Sequence, residues 1–438
     1  MKYHLHVFGC QMNEADAQRV GSEMEKAGLR AAPHAHDADV IVLNTCVVRQ
    51  SAEDKAHSYI QTLKPIKQAH PEKVISVMGC MVGVKGNAAL KRAYPWVDVF
   101  MAPSETRPLI DYLRQREGYR LLERETRERF AIQDGDLLLA TQGRGAQVSA
   151  FVPIVYGCSH ACTFCIIPFR RGVERSRPIG EIAHEVHSLA GQGVKEVTLL
   201  GQIVDRYGKD VPDGPDLADL LRAIHGIDGI ERIRFLTSHP NWMNEKLLDT
   251  AAELPKVCEH IEVPVQAGDD DVLRAMRRGY TADDYRRLID TIRRKMPGAS
   301  IATDIIVGFP GETDAQFRKT YDLLAELKID VAHLARYSPR PQTVAQRTLA
   351  DDVSEAEKMR RFQALEELQA QVAAEINRRY LDRPVEVLVE AKHKGKWRGR
   401  TRTNKIVFFE DSADRHGKLT NVNITWTGPW SLQGEPVA

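Results

Sequence analysis

The stretch that most restricts what this 438-residue chain can fold into is Gly157-Cys158-Ser159-His160-Ala161-Cys162-Thr163-Phe164-Cys165. Three thiols at C-x3-C-x2-C spacing follow the apolar run Phe151-Val152-Pro153-Ile154-Val155-Tyr156. A strand running into a sulfur-rich loop holds soft ligands close together, as an iron–sulfur cluster needs. A closed zinc site takes four Cys or His ligands. His160 offers a fourth, but its place between two of the cysteines would strain the loop. Three ligands instead leave one iron open. Zinc and plain core thiols stand as the alternatives.

The first 118 residues carry three more cysteines in one repeated setting. Apolar runs at 3–8, 40–43 and 74–78 read as strands and lead into Gly9-Cys10, Asn44-Thr45-Cys46 and Gly79-Cys80. Helical patterns at about 14–27 and 51–69 lie between them. Strand–helix alternation predicts a parallel, doubly wound α/β sheet. Carboxyl ends of such strands share one edge, where ligands bind. Cys10, Cys46 and Cys80 should converge there and hold a second cluster, again through three thiols. The bland alternative is three buried structural thiols.

Residues 119–150 are polar and glycine-bearing and read as an interdomain connection, with short strands at about 137–140. From 151 to 348 strand and helix alternate again. Strands are expected at 196–200, 233–236, 262–265 and 301–307, and helices at 179–192, 217–225, 244–253, 281–295 and 313–327. Six or so such units are too few for an eight-fold barrel and predict an open partial barrel with its reactive groups at the strand carboxyl ends. A helix over 351–380 follows. Short strands at 385–389, 406–409 and 421–425 then predict a small β-barrel. Its loop 392–405 has seven basic residues, no acid and one Trp. Such a loop either grips nucleic acid, with cations on phosphates and an aromatic on a base, or is a merely solvated hairpin. The resulting domains are 1–118, a linker at 119–150, 151–372 and 373–438.

Net charge is only +1, so nucleic-acid affinity has to come from such a local patch. Seven cysteines in a cytoplasmic chain read as ligands sooner than disulfides. Cys258, outside both triplets, reads as a core thiol. No apolar run approaches the ~18 residues of a membrane span, and the N-terminus lacks the apolar core of a signal peptide. A cytoplasmic location without membrane contact is expected.

These residues also carry a resemblance. The cysteine loop with Phe164, together with Gly9-Cys10-Gln11-Met12-Asn13, Asn44-Thr45-Cys46-Val47-Val48-Arg49 and Gly79-Cys80-Met81, resembles the radical S-adenosylmethionine (SAM) methylthiotransferases. Gln-Met-Asn after the first cysteine is similar to the tRNA-modifying branch; the branch acting on a ribosomal protein usually shows Pro-Lys-Asn. The resemblance implies an incomplete (β/α)6 barrel in which Cys158, Cys162 and Cys165 hold a 4Fe–4S cluster that chelates SAM. It implies an auxiliary 4Fe–4S cluster on Cys10, Cys46 and Cys80, and SAM bordered by Phe164, Gln202, Ser238, Gln266, Arg278 and Asp304. The small barrel resembles a TRAM domain, Gly399-Arg400-Thr401 matching its signature. Lys392, Lys394, Lys396, Trp397, Arg398 and Arg400 would then face RNA. The implied reaction inserts a methylthio group at C2 of N6-isopentenyladenosine in tRNA. It needs an electron donor such as flavodoxin or ferredoxin and a sulfur or cluster donor.

The chain departs from the family in having Val82-Gly83 after Cys80-Met81, Thr237-Ser238-His239-Pro240 for Ser-Pro-His-Pro, and Gln266-Ala267-Gly268-Asp269 for Gln-Ser-Gly-Ser. Other substrates of the same chemistry, a threonylcarbamoyl-adenosine tRNA or a ribosomal-protein aspartate, are alternatives. So is a non-catalytic RNA-binding protein with structural zinc.

Overall fold

Strands β1 (Lys2–Val7), β2 (Arg30–Ala31), β3 (Val40–Thr45), β4 (Val74–Gly79) and β5 (Val99–Met101) form one parallel sheet in the order β2-β1-β3-β4-β5. The computed structural model describes residues 1–85, 87–130, 137–139 and 147–437. They divide into two units. The first comprises Met1–Ala146, Ala150–His160 and Cys165–Gln192; the second comprises Gln147–Ser149, Ala161–Phe164 and Gly193–Ala438.

β3 and β4 are buried along their whole length, and their side chains alternate between two cores. Val40, Val42, Val74 and Met78 pack with Val20 and Met24 of α1 (Gln11–Lys26). Ile41, Leu43, Ile75 and Val77 pack with Ala56, Ile60 and Leu63 of α2 (Gln50–Ala69). Helices on both faces are what a continuous apolar run in a parallel strand requires. After α3 (Ala88–Ala93) and α4 (Arg107–Arg114) comes α5 (Glu117–Phe130). The stretch read as a connection thus begins with about three turns of helix. Its polar residues pair along and across helices, Arg114 with Glu123 at 2.7 Å and Arg127 with Glu123 at 3.6 Å. Residues 137–139 form no strand, and residue 140 of the expected strand lies outside the described residues.

Beyond β6 (Ser149–Pro153) and β7 (Val155–Tyr156), the first unit continues with α6 (Ile167–Arg171), β8 (Arg175–Ser176) and α7 (Ile179–Gly191). The second unit alternates β9 (Glu196–Leu200), α8 (Leu217–His225), β10 (Arg232–Phe235), α9 (Glu245–Glu253), β11 (His260–Glu262), α10 (Asp270–Ala275), α11 (Ala282–Lys295), β12 (Ser300–Val307), α12 (Asp314–Leu327) and β13 (Val331–Arg336). Neighbouring strands pair in parallel, β9 with β10 and β11 with β12 with β13. This is the β/α repetition expected. Capping boxes, Asp216–Asp219, Thr281–Asp284 and Thr313–Gln316, start α8, α11 and α12.

α13 (Val344–Thr348) and α14 (Glu355–Asn377) lead to a closed barrel of β14 (Pro384–His393), β15 (Lys396–Thr401), β16 (Ile406–Phe409), β17 (Leu419–Thr427) and β18 (Leu432–Pro436), in the order β14-β15-β16-β18-β17. The basic segment 392–405 is therefore no single loop but the end of β14, a two-residue turn, β15 and the turn 402–405 that follows it. Lys394 and Gly395 take positive φ, 49° and 86°, as a two-residue hairpin turn requires.

The small barrel docks on the starts of the larger barrel's strands through main-chain acceptors. Arg234 donates to Arg402 O at 2.6 Å and Thr401 O at 2.7 Å, and Arg232 to Arg400 O at 2.7 Å. Ion pairs Arg402–Glu259 and Lys405–Asp330, each 2.8 Å, flank them. Among the described residues no helix is long and apolar enough to cross a membrane.

Candidate active site

At the carboxyl edge of the N-terminal sheet the three expected cysteines come together. Cys10 occupies the N-terminal cap of α1. Cys46 and Cys80 directly follow β3 and β4, and Cys80 N–H donates to Thr45 O at 2.9 Å. Two glycines make the approach possible. A Cβ on Gly9 (φ 121°) would lie 2.6 Å from Cys46 Cβ; one on Gly79 (φ 96°) would lie 2.5 Å from Thr45 O. Cys46 and Cys80 are buried and Cys10 is exposed. Burial pushes the Cys46 thiol up and Cys80 to about 11. Deprotonated ligands there need a compensating cation.

Arg171, which the sequence did not single out for this site, supplies one. It is 8% exposed, pairs with Asp16 at 3.0 Å, donates to Asn13 Oδ1 at 2.6 Å and places its charge beside the Cys80 and Cys10 thiols. Asn13 also donates to Phe8 O and Thr45 O, joining the ends of β1 and β3. Next to Arg171 a cavity of about 210 Å³ is lined by Val84, Pro103, Ser104, Tyr156 and Arg175, among others. Three thiols, a buried guanidinium and glycines where a Cβ has no room fit an iron–sulfur cluster at this edge. Among the described residues no group of three His, Cys, Asp or Glu is placed to hold a single metal ion.

The second triplet lies in the loop after β7. Gly157 (φ 68°) permits its first turn, since a Cβ would meet Val173 O at 2.1 Å. Cys158 N–H donates to Gly172 O at 3.0 Å. Thr163, between Cys162 and Cys165, donates through its hydroxyl to Ala275 O and through its N–H to Met276 O. It accepts from Ala345 N. Arg278 is 5% exposed and donates to Cys162 Sγ at 3.1 Å, to Pro264 O and to Tyr280 Oη. Two anchors of this loop, Thr163 and Gly157, carried no signal beyond lying in the cysteine motif.

The other expected SAM neighbours sit at the carboxyl ends of the barrel strands. Gln202 follows β9, Ser238 follows β10, Gln266 follows β11, and Asp304 lies in β12. Ser238 Oγ is buried and finds no hydrogen-bond partner among the described residues. Thr237 and Gln266 hold φ of 66° and 74°. A β-branched residue in this conformation is strained, and strain of this kind collects at ligand sites. Beside Asp304 stands Glu262, which the sequence reading passed over. Burial, and next the Asp304 charge, push it up to about 7. Glu312, in contrast, is taken up structurally, accepting from Gly308 N at 2.6 Å and Arg361 at 2.7 Å. Cys258 is a core thiol, 1% exposed.

On the small barrel the expected RNA residues separate. Trp397 was expected to offer its ring to a base, but it is 5% exposed, faces the barrel core with Gly399 and Thr401, and donates to Asp411 O and Ala413 O. Strand alternation puts it inside. Lys396 pairs with Glu410 at 3.2 Å and Arg400 with Glu390 at 3.0 Å. Lys392 lies over the Trp397 ring at 4.5 Å. Lys394 and Arg398 make no ion pair among the described residues. The exposed aromatics are elsewhere, Trp426 at 48% and Trp430 at 59%. They flank the β17–β18 turn, whose Gly428 and Pro429 carbonyls accept from Asn377, next to the exposed Arg378 and Arg379.

Comparison with known proteins agrees with this layout. Residues 2–102 match the uncharacterized protein family UPF0004, 152–324 the radical SAM superfamily and 378–437 the TRAM domain. The chain is 46% identical over 436 residues to a tRNA-2-methylthio-N(6)-dimethylallyladenosine synthase of Herpetosiphon aurantiacus, covering 99% of this chain and 97% of that one. A protein of the same name from Dehalococcoides mccartyi (strain CBDB1) is 44% identical over 435 residues, with 99% and 98% covered. One from Chloroflexus aurantiacus is 45% identical over 438 residues, with 99% and 91% covered. Among solved structures, the radical SAM methyltransferase TsrM of Kitasatospora setae superposes with a TM-score of 0.55 at 14% identity, over 79% of this chain and 77% of that one. At that identity the likeness concerns the fold alone.

Proposed function

Because the chain belongs to the tRNA-2-methylthio-N(6)-dimethylallyladenosine synthases, a family of radical SAM methylthiotransferases, we propose that its two cysteine triplets divide the reaction between them. The enzyme inserts a methylthio group at C2 of N6-isopentenyladenosine, next to the anticodon of tRNA, using two 4Fe–4S clusters and two molecules of SAM. A cluster with SAM bound to it would supply the radical chemistry needed to remove an aromatic hydrogen that no side-chain acid or base can take.

Cys158, Cys162 and Cys165 hold the SAM-binding cluster in this reading. Arg278 and Thr163 fix the Cys162 end of the loop. Gln202, Ser238, Gln266 and Asp304 line the SAM pocket with Phe164, Ser238 Oγ being a buried hydroxyl still short of a partner. Cys10, Cys46 and Cys80 hold the auxiliary cluster that carries the sulfur. On the small barrel, Lys392, Lys394 and Arg398 are the cations left to meet RNA phosphates, while Trp426 and Trp430 offer faces on which bases stack. A cytoplasmic location, a flavodoxin- or ferredoxin-like electron donor and a separate sulfur or cluster donor complete the reading.

The convergence of Cys10, Cys46 and Cys80 at one sheet edge carries it. Iron and acid-labile sulfide per chain after anaerobic reconstitution provide the test. About eight irons should fall to about four in the Cys10/Cys46/Cys80→Ala variant. Equal iron in both proteins would refute the second cluster and the assignment of these thiols with it.

A further inference from the structure

Arg171 lies six residues after Cys165, at the end of α6, yet its guanidinium is spent at the other cysteine triplet. Three neighbours orient it. Asp16, whose side chain is fully buried, pairs with Nη2 at 3.0 Å. Asn13 Oδ1 accepts from Nη2 at 2.6 Å, and Ser104 Oγ from Nη1 at 3.3 Å. Ser104 in turn donates to Asp16 Oδ1 at 2.6 Å, so the carboxylate is held in place too. Thus fixed, the guanidinium holds its positive charge beside Cys80, the most deeply buried of the three thiols. Arg171 Nε is also buried and has no acceptor among the described residues.

A pair that merely held the fold together would gain little from this arrangement. Burying an Arg–Asp pair is often no more stabilising than an apolar pair of the same volume. A fixed cation beside a ligand sulfur, with its Nε donor left over, instead suits a metal–sulfur group whose charge changes by one electron. Hydrogen bonds to ligand sulfurs and nearby charge set the reduction potential of such groups.

We propose that Arg171 is a positioning residue of the auxiliary cluster, setting its reduction potential through a charge held beside Cys80 and balanced by Asp16. The inference rests on the two-cluster reading. Its test starts from the Cys158/Cys162/Cys165→Ala protein, in which only the auxiliary cluster remains; absence of iron from this parent would be a failure of that reading and not of the role of Arg171. Midpoint potentials are then read by electron paramagnetic resonance titration in the parent and in added variants. Arg171→Gln should shift the midpoint to more negative values, Arg171→Lys should lie between it and the parent, and Asp16→Asn should shift it the opposite way. Unchanged midpoints in Arg171→Gln and Asp16→Asn at full iron content would overturn the proposal. So would loss of iron in all three variants alike, the mark of a pair that only holds the fold.

Discussion

The buried pair Glu196–Arg234 ties the larger barrel to the small one and should respond sharply to removal of one partner. Its atoms are 2.9 Å apart, and the side chains are 6% and 3% exposed. Arg234→Met keeps the volume but strands the Glu196 carboxylate and two carbonyls of the small barrel, Thr401 O and Arg402 O. Removing one partner of a buried pair costs about 3–5 kcal/mol. The lost carbonyl bonds belong to the same event and do not add to it in full. Three of the five tryptophans, at 397, 426 and 430, lie in the small barrel, so fluorescence during urea unfolding follows that barrel. Arg234→Met should lower the stability of this transition by about 3–5 kcal/mol. Adding Glu196→Gln, which removes the stranded charge, should recover about 0.5–3 kcal/mol of it. A single variant within about 1 kcal/mol of wild type, or a double variant no better than the single, would refute the assignment of the stability to this pair.

Three other outcomes are expected. Glu262 titrates at about 7 in the folded chain against an ordinary value of 4.5, so the native state binds the extra proton and stability drains away as pH rises between those values. Glu262→Gln should therefore gain up to about 3 kcal/mol over wild type at pH 8 and nothing at pH 4; a difference independent of pH in denaturation curves would contradict this. Gly157→Ala forces a left-handed alanine, costing about 1–2 kcal/mol, against a carbonyl 2.1 Å away. It should cut iron from about eight to about four per chain, whereas eight irons retained would show that the loop does not depend on that turn. Trp430→Ala should weaken tRNA binding about five- to 150-fold with the circular dichroism unchanged, since stacking one base is worth about 1–3 kcal/mol; unaltered affinity in a gel-shift titration would remove the residue from the interface.

The sequence made the parallel sheets legible because apolar runs buried on two faces cannot be mistaken, and cysteines marked their carboxyl ends. Long-range polar partners were less visible. Arg171 follows one cysteine motif in the chain but serves the other, and no periodicity announces that. Glu262 reads as an ordinary strand residue until Asp304 is placed beside it. Trp397 reads as exposed only while residues 392–405 are taken as one loop; with Lys394-Gly395 as a turn and β15 as a strand, residues 397, 399 and 401 must face inward. Trp426 misleads in the opposite sense. Alternation after Val422 and Ile424 would bury it, but an irregularity in the β17–β18 register between Ile424 and Trp426 turns it to solvent. The helix at 117–130 was hidden by its polarity, which comes from surface ion pairs.

The seam between the two barrels leaves the small one room to change. Arg232 and Arg234 recognise carbonyl oxygens of residues 400–402, which every amino acid presents. Most of the instruction for docking is thus written on the larger barrel alone. Side chains on the outer surface of the small barrel can be exchanged without renegotiating the join, provided that the turn after β15 keeps its path and Glu386, Arg402 and Lys405 keep their partners. A graft that carries residues 384–437 of a relative onto this chain should dock wherever that turn is preserved. Its preference among RNA shapes would then come from the donor and its chemistry from the host.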